Sequence, residues 1–80
     1  MSAPMYLAMG GVIFIREHAA ITLERARQIE GVHKSNAAFW LSLDTADPVV
    51  RLKMAKAEGR LAEEMAAAIA EITGSERRAA

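Results

Sequence analysis

Residues 5 to 15, MYLAMGGVIFI, form an uninterrupted run without a charged or strongly polar side chain. The run is hard to bury in a chain of 80 residues, because a domain this small covers only about 60% of the surface that its unfolded chain exposes. As a helix, the run would span about 16 Å, roughly half of a bilayer's hydrocarbon core, and would not cross a membrane alone. We therefore expect a partner, or a second copy of the chain, to cover part of it.

Composition narrows the class of protein further. Ten Lys and Arg residues balance ten Asp and Glu residues, so no overall field draws the chain to nucleic acid or to an anionic membrane. The sequence has no cysteine, which excludes a disulfide framework and a thiolate zinc site. No basic residue precedes the apolar run, as an export signal would require. We expect a single cytoplasmic domain without a cofactor.

The clearest predicted element is a helix over residues 48–73. Asp47 is a favourable N-cap, Pro48 suits the first helical position, and Gly74 follows the last periodic residue as a stop. Apolar residues recur between these signals at steps of three and four, as they do on one side of a helix. This stripe contains Val50, Met54, Ala57, Leu61, Met65, Ala68 and Ile72.

A second helix is predicted over residues 16–43, with Gly31 as its one weak position. The helix either runs through Gly31 or breaks there. If it runs through, the short turn before Pro48 makes an antiparallel hairpin. Residues then lie level when their numbers sum to about 91, which places Trp40 beside Arg51 and His33 beside Glu58.

The fold class predicted from these patterns is all-α. An apolar arm (1–15) precedes two antiparallel helices (16–43 and 48–73), and a polar tail (74–80) follows them. Gly10 and Gly11 divide the arm, with residues 5–9 predicted as a short apolar turn. Residues 12–15 are either a strand paired across a dimer or the start of the first helix. A two-helix hairpin encloses no core, so we expect dimerisation to complete a bundle.

Three residues suggest a metal site as a minor alternative. Glu30 and His33 have the i, i+3 spacing by which di-iron bundles present ligands from one helix turn. Glu58 interrupts the apolar stripe, and a carboxylate there requires a partner. It either joins a metal site with Glu30 and His33 or pairs with Arg25, Lys34 or His33. Pairing is the favoured interpretation, since Glu-x-x-His is common in helices.

If Gly31 is a break, the order becomes strand, helix, helix. The segment GVIFI, followed by GVHKS at residues 31–35, then resembles the ribbon-helix-helix family of dimeric DNA-binding repressors and antitoxins. The resemblance covers residues 12–43. It implies a strand in the major groove of DNA, with Arg16, Lys34 and Ser35 as candidate DNA contacts, and a toxin-binding segment at residues 48–73.

The first functional prediction is nevertheless protein binding without catalysis. No nucleophile-elbow pattern surrounds the scattered serines, and no phosphate-binding glycine loop is present. We expect a small regulator, inhibitor or accessory subunit that uses apolar helical surfaces and forms a homo-oligomer or joins a larger complex. The predicted partner-binding residues are Tyr6, Leu7, Val12, Phe14 and Trp40.

Overall fold

The computed structural model describes the backbone of residues 4–16 and 19–79, and the side chains of residues 4–16 and 19–74. It has an α+β fold, in which a three-stranded antiparallel sheet of order β1-β2-β3 packs on two helices. The all-α prediction is therefore wrong. The elements are β1 (Tyr6–Met9), β2 (Val12–Ile15), β3 (Ala19–Ile21), α1 (Leu23–Ser42) and α2 (Pro48–Ala79).

The apolar run forms a β-hairpin. Gly10 and Gly11 have φ angles of +62° and +80°, which suit the two-residue turn whose twist matches that of paired strands. Tyr6 pairs with Ile15 and Met9 with Val12. Residues 5–9, predicted as a turn, thus supply a strand, and residues 12–15 pair within the chain rather than across a dimer.

The first helix starts later than predicted. Ala19–Ile21 pairs with β2 as a third strand, and α1 begins at Leu23 behind the N-cap Thr22, whose Oγ1 accepts a hydrogen bond from the Arg25 amide at 3.1 Å. Alanine favours a helix and isoleucine favours a strand, so the local sequence does not decide between them, and pairing with β2 makes this segment a strand. Residues 17 and 18, inside the predicted first helix, lie outside the described residues.

Both helices continue through the glycines that mark possible breaks. α1 passes Gly31 without interruption, and α2 passes Gly74 and ends at Ala79, so the predicted end at 73 is too early. The predicted start of α2 is confirmed, since Asp47 Oδ1 accepts a hydrogen bond from the Val49 amide at 2.8 Å. The hairpin register is confirmed as well by the contact between His33 and Glu58.

The core lies between the inner side of the sheet and one end of the helix pair. Helix contacts further towards the interhelical turn depend on buried alanines, including Ala55, which let the helices approach closely. The radius of gyration is 14.5 Å, against about 12 Å for a compact domain of this length. The core cluster of the described residues contains Tyr6, Ile13, Ala26, Met65, Ala68 and Ile72.

Candidate functional site

The apolar stripe of α2 is covered along only part of its length. In its second half, Met65 is fully buried beneath the sheet, together with Ala68 and Ile72. In its first half, Val50 is 48% exposed and Met54 is 38% exposed. Because the stripe follows one side of the helix, the bare residues continue the line on which the sheet packs.

The neighbouring helix shows the same change. Ile29 packs against the core, whereas Val32 and Phe39, which follow it at helical spacing, are exposed. The bare parts of both helices make one apolar area beside the interhelical turn. We call it the uncovered helix surface, and it consists of the exposed residues Val32, Phe39, Val50, Met54 and Ala57.

The side of the sheet that faces away from the helices is a second apolar area. The strand register places Leu7, Phe14 and Ala20 in one row across the sheet, and Met9 beside Val12 in the next. Antiparallel sheets with one free side commonly carry polar residues there, yet all five of these side chains are apolar. Met9 is 60% exposed and Leu7 is 43% exposed. We call these five residues the outer sheet face.

A polar network closes the core at the border of the uncovered helix surface. The Tyr6 hydroxyl lies 2.7 Å from His33 Nε2, and His33 Nδ1 lies 2.5 Å from Glu58 Oε2. In the tautomer that carries its proton on Nδ1, the His33 ring donates a hydrogen bond to Glu58 Oε2, and Nε2 accepts one from the Tyr6 hydroxyl. Asn36 donates to the other Glu58 oxygen at 3.5 Å. The network joins β1, α1 and α2, and satisfies the carboxylate that interrupts the stripe.

Glu64 fixes the start of β1 on α2. Its Oε1 accepts a hydrogen bond from the Met5 amide at 2.7 Å and lies 3.4 Å from the Tyr6 amide. Burial, helped by the nearby carboxylates of Glu58 and Glu64, raises the pKa of Tyr6 above its ordinary value of 10.0. Tyr6 therefore keeps its hydroxyl proton to a higher pH than an exposed tyrosine does, and the hydroxyl can donate a hydrogen bond to His33 Nε2.

The three residues of the minor metal alternative, Glu30, His33 and Glu58, do not turn to a common point. Glu30 pairs with Lys34 at 3.1 Å rather than turning to His33, and both nitrogens of His33 have protein partners. Among residues 4–16 and 19–74, no cluster of three or more His, Asp or Glu side chains is suited to hold a metal ion. Glu58 instead pairs with His33, which was the favoured interpretation.

The candidate DNA contacts lie on separate elements. Arg16 follows β2 at a φ of +50°, whereas Lys34 and Ser35 lie within α1 and Lys34 is paired with Glu30. α1 is continuous at Gly31, where the second helix of a ribbon-helix-helix protein would begin. The resemblance to that family stays a prediction.

Three of the predicted partner-binding residues, Leu7, Val12 and Phe14, lie together on the outer sheet face. Tyr6 does not, because it points to the inner side, where it is buried in the chain's own core. Trp40 is half-buried and meets Phe39 edge-on, with ring centroids 5.9 Å apart.

Sequence reasoning missed Met9 and Ala20 on the sheet, and Val50, Met54 and Phe39 as a single exposed area. Recognising Gly10 and Gly11 as a two-residue hairpin turn would have revealed Met9, since that turn pairs Met9 with Val12.

Comparisons of the chain with models of protein families, with curated proteins and with solved structures gave no match. No helix within the described part of the chain is long and apolar enough to cross a membrane.

Proposed function

We propose that this chain is a non-catalytic protein-binding module that acts as a small regulator, inhibitor or accessory subunit. The observation that supports this most directly is the outer sheet face, where five neighbouring side chains on three strands are all apolar. Proteins that work alone rarely expose contiguous apolar areas of this kind, and such areas mark interaction sites. The uncovered helix surface adds a second area of the same chemistry.

The polar network has a structural part in this proposal. It ties the sheet to both helices through Tyr6, His33 and Glu58, and holds the two apolar areas in a fixed relation to each other. A surface that is already ordered loses less conformational entropy when it binds. The network therefore supports binding without contacting the partner.

The proposal is tested by placing charges on the two areas. Val12→Glu, Phe14→Glu and Val50→Glu each put a carboxylate where binding would remove it from water, and we expect association at least about tenfold weaker. Leu52→Glu is the matched control, since Leu52 is exposed two residues from Val50 on a different side of α2. The size of the assembly formed by the tagged protein in its native cells is measured by size-exclusion chromatography, and helix content by circular dichroism.

We expect the wild type and the Leu52→Glu variant to migrate as an assembly larger than one chain. The three other variants should migrate at the mass of a single chain with unchanged helix content. A wild type that migrates as a single chain under these conditions would contradict the proposal.

A further inference from the structure

We infer that the partner is a second copy of this chain, related by a two-fold axis, with the outer sheet face of each copy packed on the uncovered helix surface of the other. This inference rests on the proposed function.

The chain exposes more surface than a compact monomer of its mass does. A compact monomer of 8.7 kDa has an accessible surface of about 4,700 Å². The chain exposes 5877 Å², an excess of about 1,100 Å² over that expectation. A stable protein interface takes about 800 Å² from each partner. One interface of ordinary size would remove an area of this order, and Leu7, Met9, Val32, Phe39 and Val50, each 43% to 60% exposed, are apolar side chains that it would cover.

The chain already makes this type of contact within itself. The inner side of the sheet packs on Met65, Ala68 and Ile72, in the second half of the α2 stripe. The bare half of the stripe repeats that chemistry with Val50, Met54 and Ala57. The outer sheet face, with Leu7, Met9, Val12 and Phe14, matches the inner side in its apolar character. One sheet would then lie between two helix pairs, one from each copy.

The shape of the molecule allows this exchange to occur in both directions. The sheet adds a layer to one half of the helix pair and leaves the other half thinner. A two-fold rotation brings the thicker half of each copy over the thinner half of the other. Both contacts form at once, and the assembly closes at two copies because the same surfaces are used on each side.

A dimer in which identical surfaces meet would cover less of the exposed apolar area. A sheet-to-sheet dimer would leave both uncovered helix surfaces in water, and a helix-to-helix dimer would leave both outer sheet faces in water. The reciprocal arrangement covers all four areas with one symmetry axis. Charge does not oppose it, because both areas consist of uncharged side chains and the chain has a formal net charge of zero at pH 7.

The test uses the absence of cysteine from the sequence. Val12→Cys and Met54→Cys are made in chains with tags of different mass, mixed, and oxidised gently. We expect a disulfide between the two different chains, with much less disulfide in either sample alone. Leu52→Cys mixed with Val12→Cys is the control, because residues 52 and 54 point to nearly opposite sides of α2.

Sedimentation equilibrium of the wild type gives the mass in parallel, and we expect that of two chains. If Val12→Cys or Met54→Cys distorts the fold by circular dichroism, Met9→Cys with Val50→Cys tests the same pairing. Disulfides that form mainly between identical variants would overturn the reciprocal arrangement.

A wild type that sediments as one chain, but forms a complex with a different protein that Val50→Glu abolishes, would overturn the second copy as partner and leave protein binding intact. A wild type that binds neither itself nor another protein would overturn both proposals.

Discussion

The two halves of the helix pair have the same apolar pattern and opposite surroundings. Around Met65 the α2 stripe is buried by the sheet, and around Met54 it faces water. The difference arises from length, because a four-residue strand spans about 13 Å, whereas the 32 residues of α2 span about 48 Å. A helical pattern therefore shows which side of a helix requires cover, and the length of the covering element shows where that cover ends.

The largest expected difference between the halves is the loss in free energy of unfolding when one methionine in each half is shortened. Met65→Ala leaves a cavity beneath the sheet, and we expect it to lower the free energy of unfolding by about 2–5 kcal/mol. Met54→Ala at low protein concentration should cost less, about 1 kcal/mol, because Met54 is 38% exposed and loses less burial than Met65 does. Urea denaturation followed by circular dichroism measures both. Equal losses in the two variants would show that the halves are not packed differently.

The polar network at the border between the halves should show a pH-dependent effect. The pKa of Tyr6 is raised, so the folded chain holds the phenol proton more tightly than the unfolded chain does. The resulting stability is complete below about pH 10 and is lost as the pH rises through the folded-state pKa.

Tyr6→Phe removes this pH dependence and the hydrogen bond to His33. We expect it to cost about 1 kcal/mol at neutral pH, with a smaller difference from the wild type above pH 10. Chemical denaturation of the two proteins across this pH range is the measurement. If the difference in stability between the two proteins stays constant with pH, the ionisation of Tyr6 does not contribute to the pH dependence of stability.

The smallest expected effect concerns Gly31, where α1 passes from the covered half to the bare one. No atom beyond the adjoining residues and the local helix backbone lies within 4 Å of an added Cβ there, so Gly31→Ala should stabilise the chain by about 0.5–1 kcal/mol through helix propensity. Gly10→Ala is the contrasting variant, because its φ of +62° disfavours any residue with a Cβ. Thermal unfolding should rank Gly31→Ala above the wild type and Gly10→Ala below it. A destabilised Gly31→Ala variant would indicate a contact that requires glycine.

The helical part of the fold was predictable because its signals are local. The spacing from Val50 to Ile72 and the Asp47 cap place α2, and the short turn between two antiparallel helices is enough to bring His33 level with Glu58. The sheet was not predictable from the same kind of pattern. Strands are recognised by alternation of polar and apolar residues, and β1 and β2 are apolar on both sides.

The residues of the candidate site could be predicted from the sequence only in part. Leu7, Val12 and Phe14 could be proposed from their apolar character alone, but the direction of each side chain depends on register. Tyr6 was placed on the surface because nothing in its neighbourhood along the chain indicates that it reaches His33, 27 positions away. Glu64 was missed as an anchor of β1 because its partners are backbone amides, which leave no mark in a sequence.

The contact between Glu64 and the Met5 amide joins residues 59 positions apart, and this separation has a consequence for the order of folding. The β1–β2 hairpin needs only its own turn in order to pair, and such hairpins form within microseconds. Its inner side has no helix to pack on until the second half of α2 is in place. Closing so long a loop costs conformational entropy, and the contacts between the sheet and α2 must offset that cost. The sheet therefore comes early in the sequence, but it packs against the core residues of α2 late in folding.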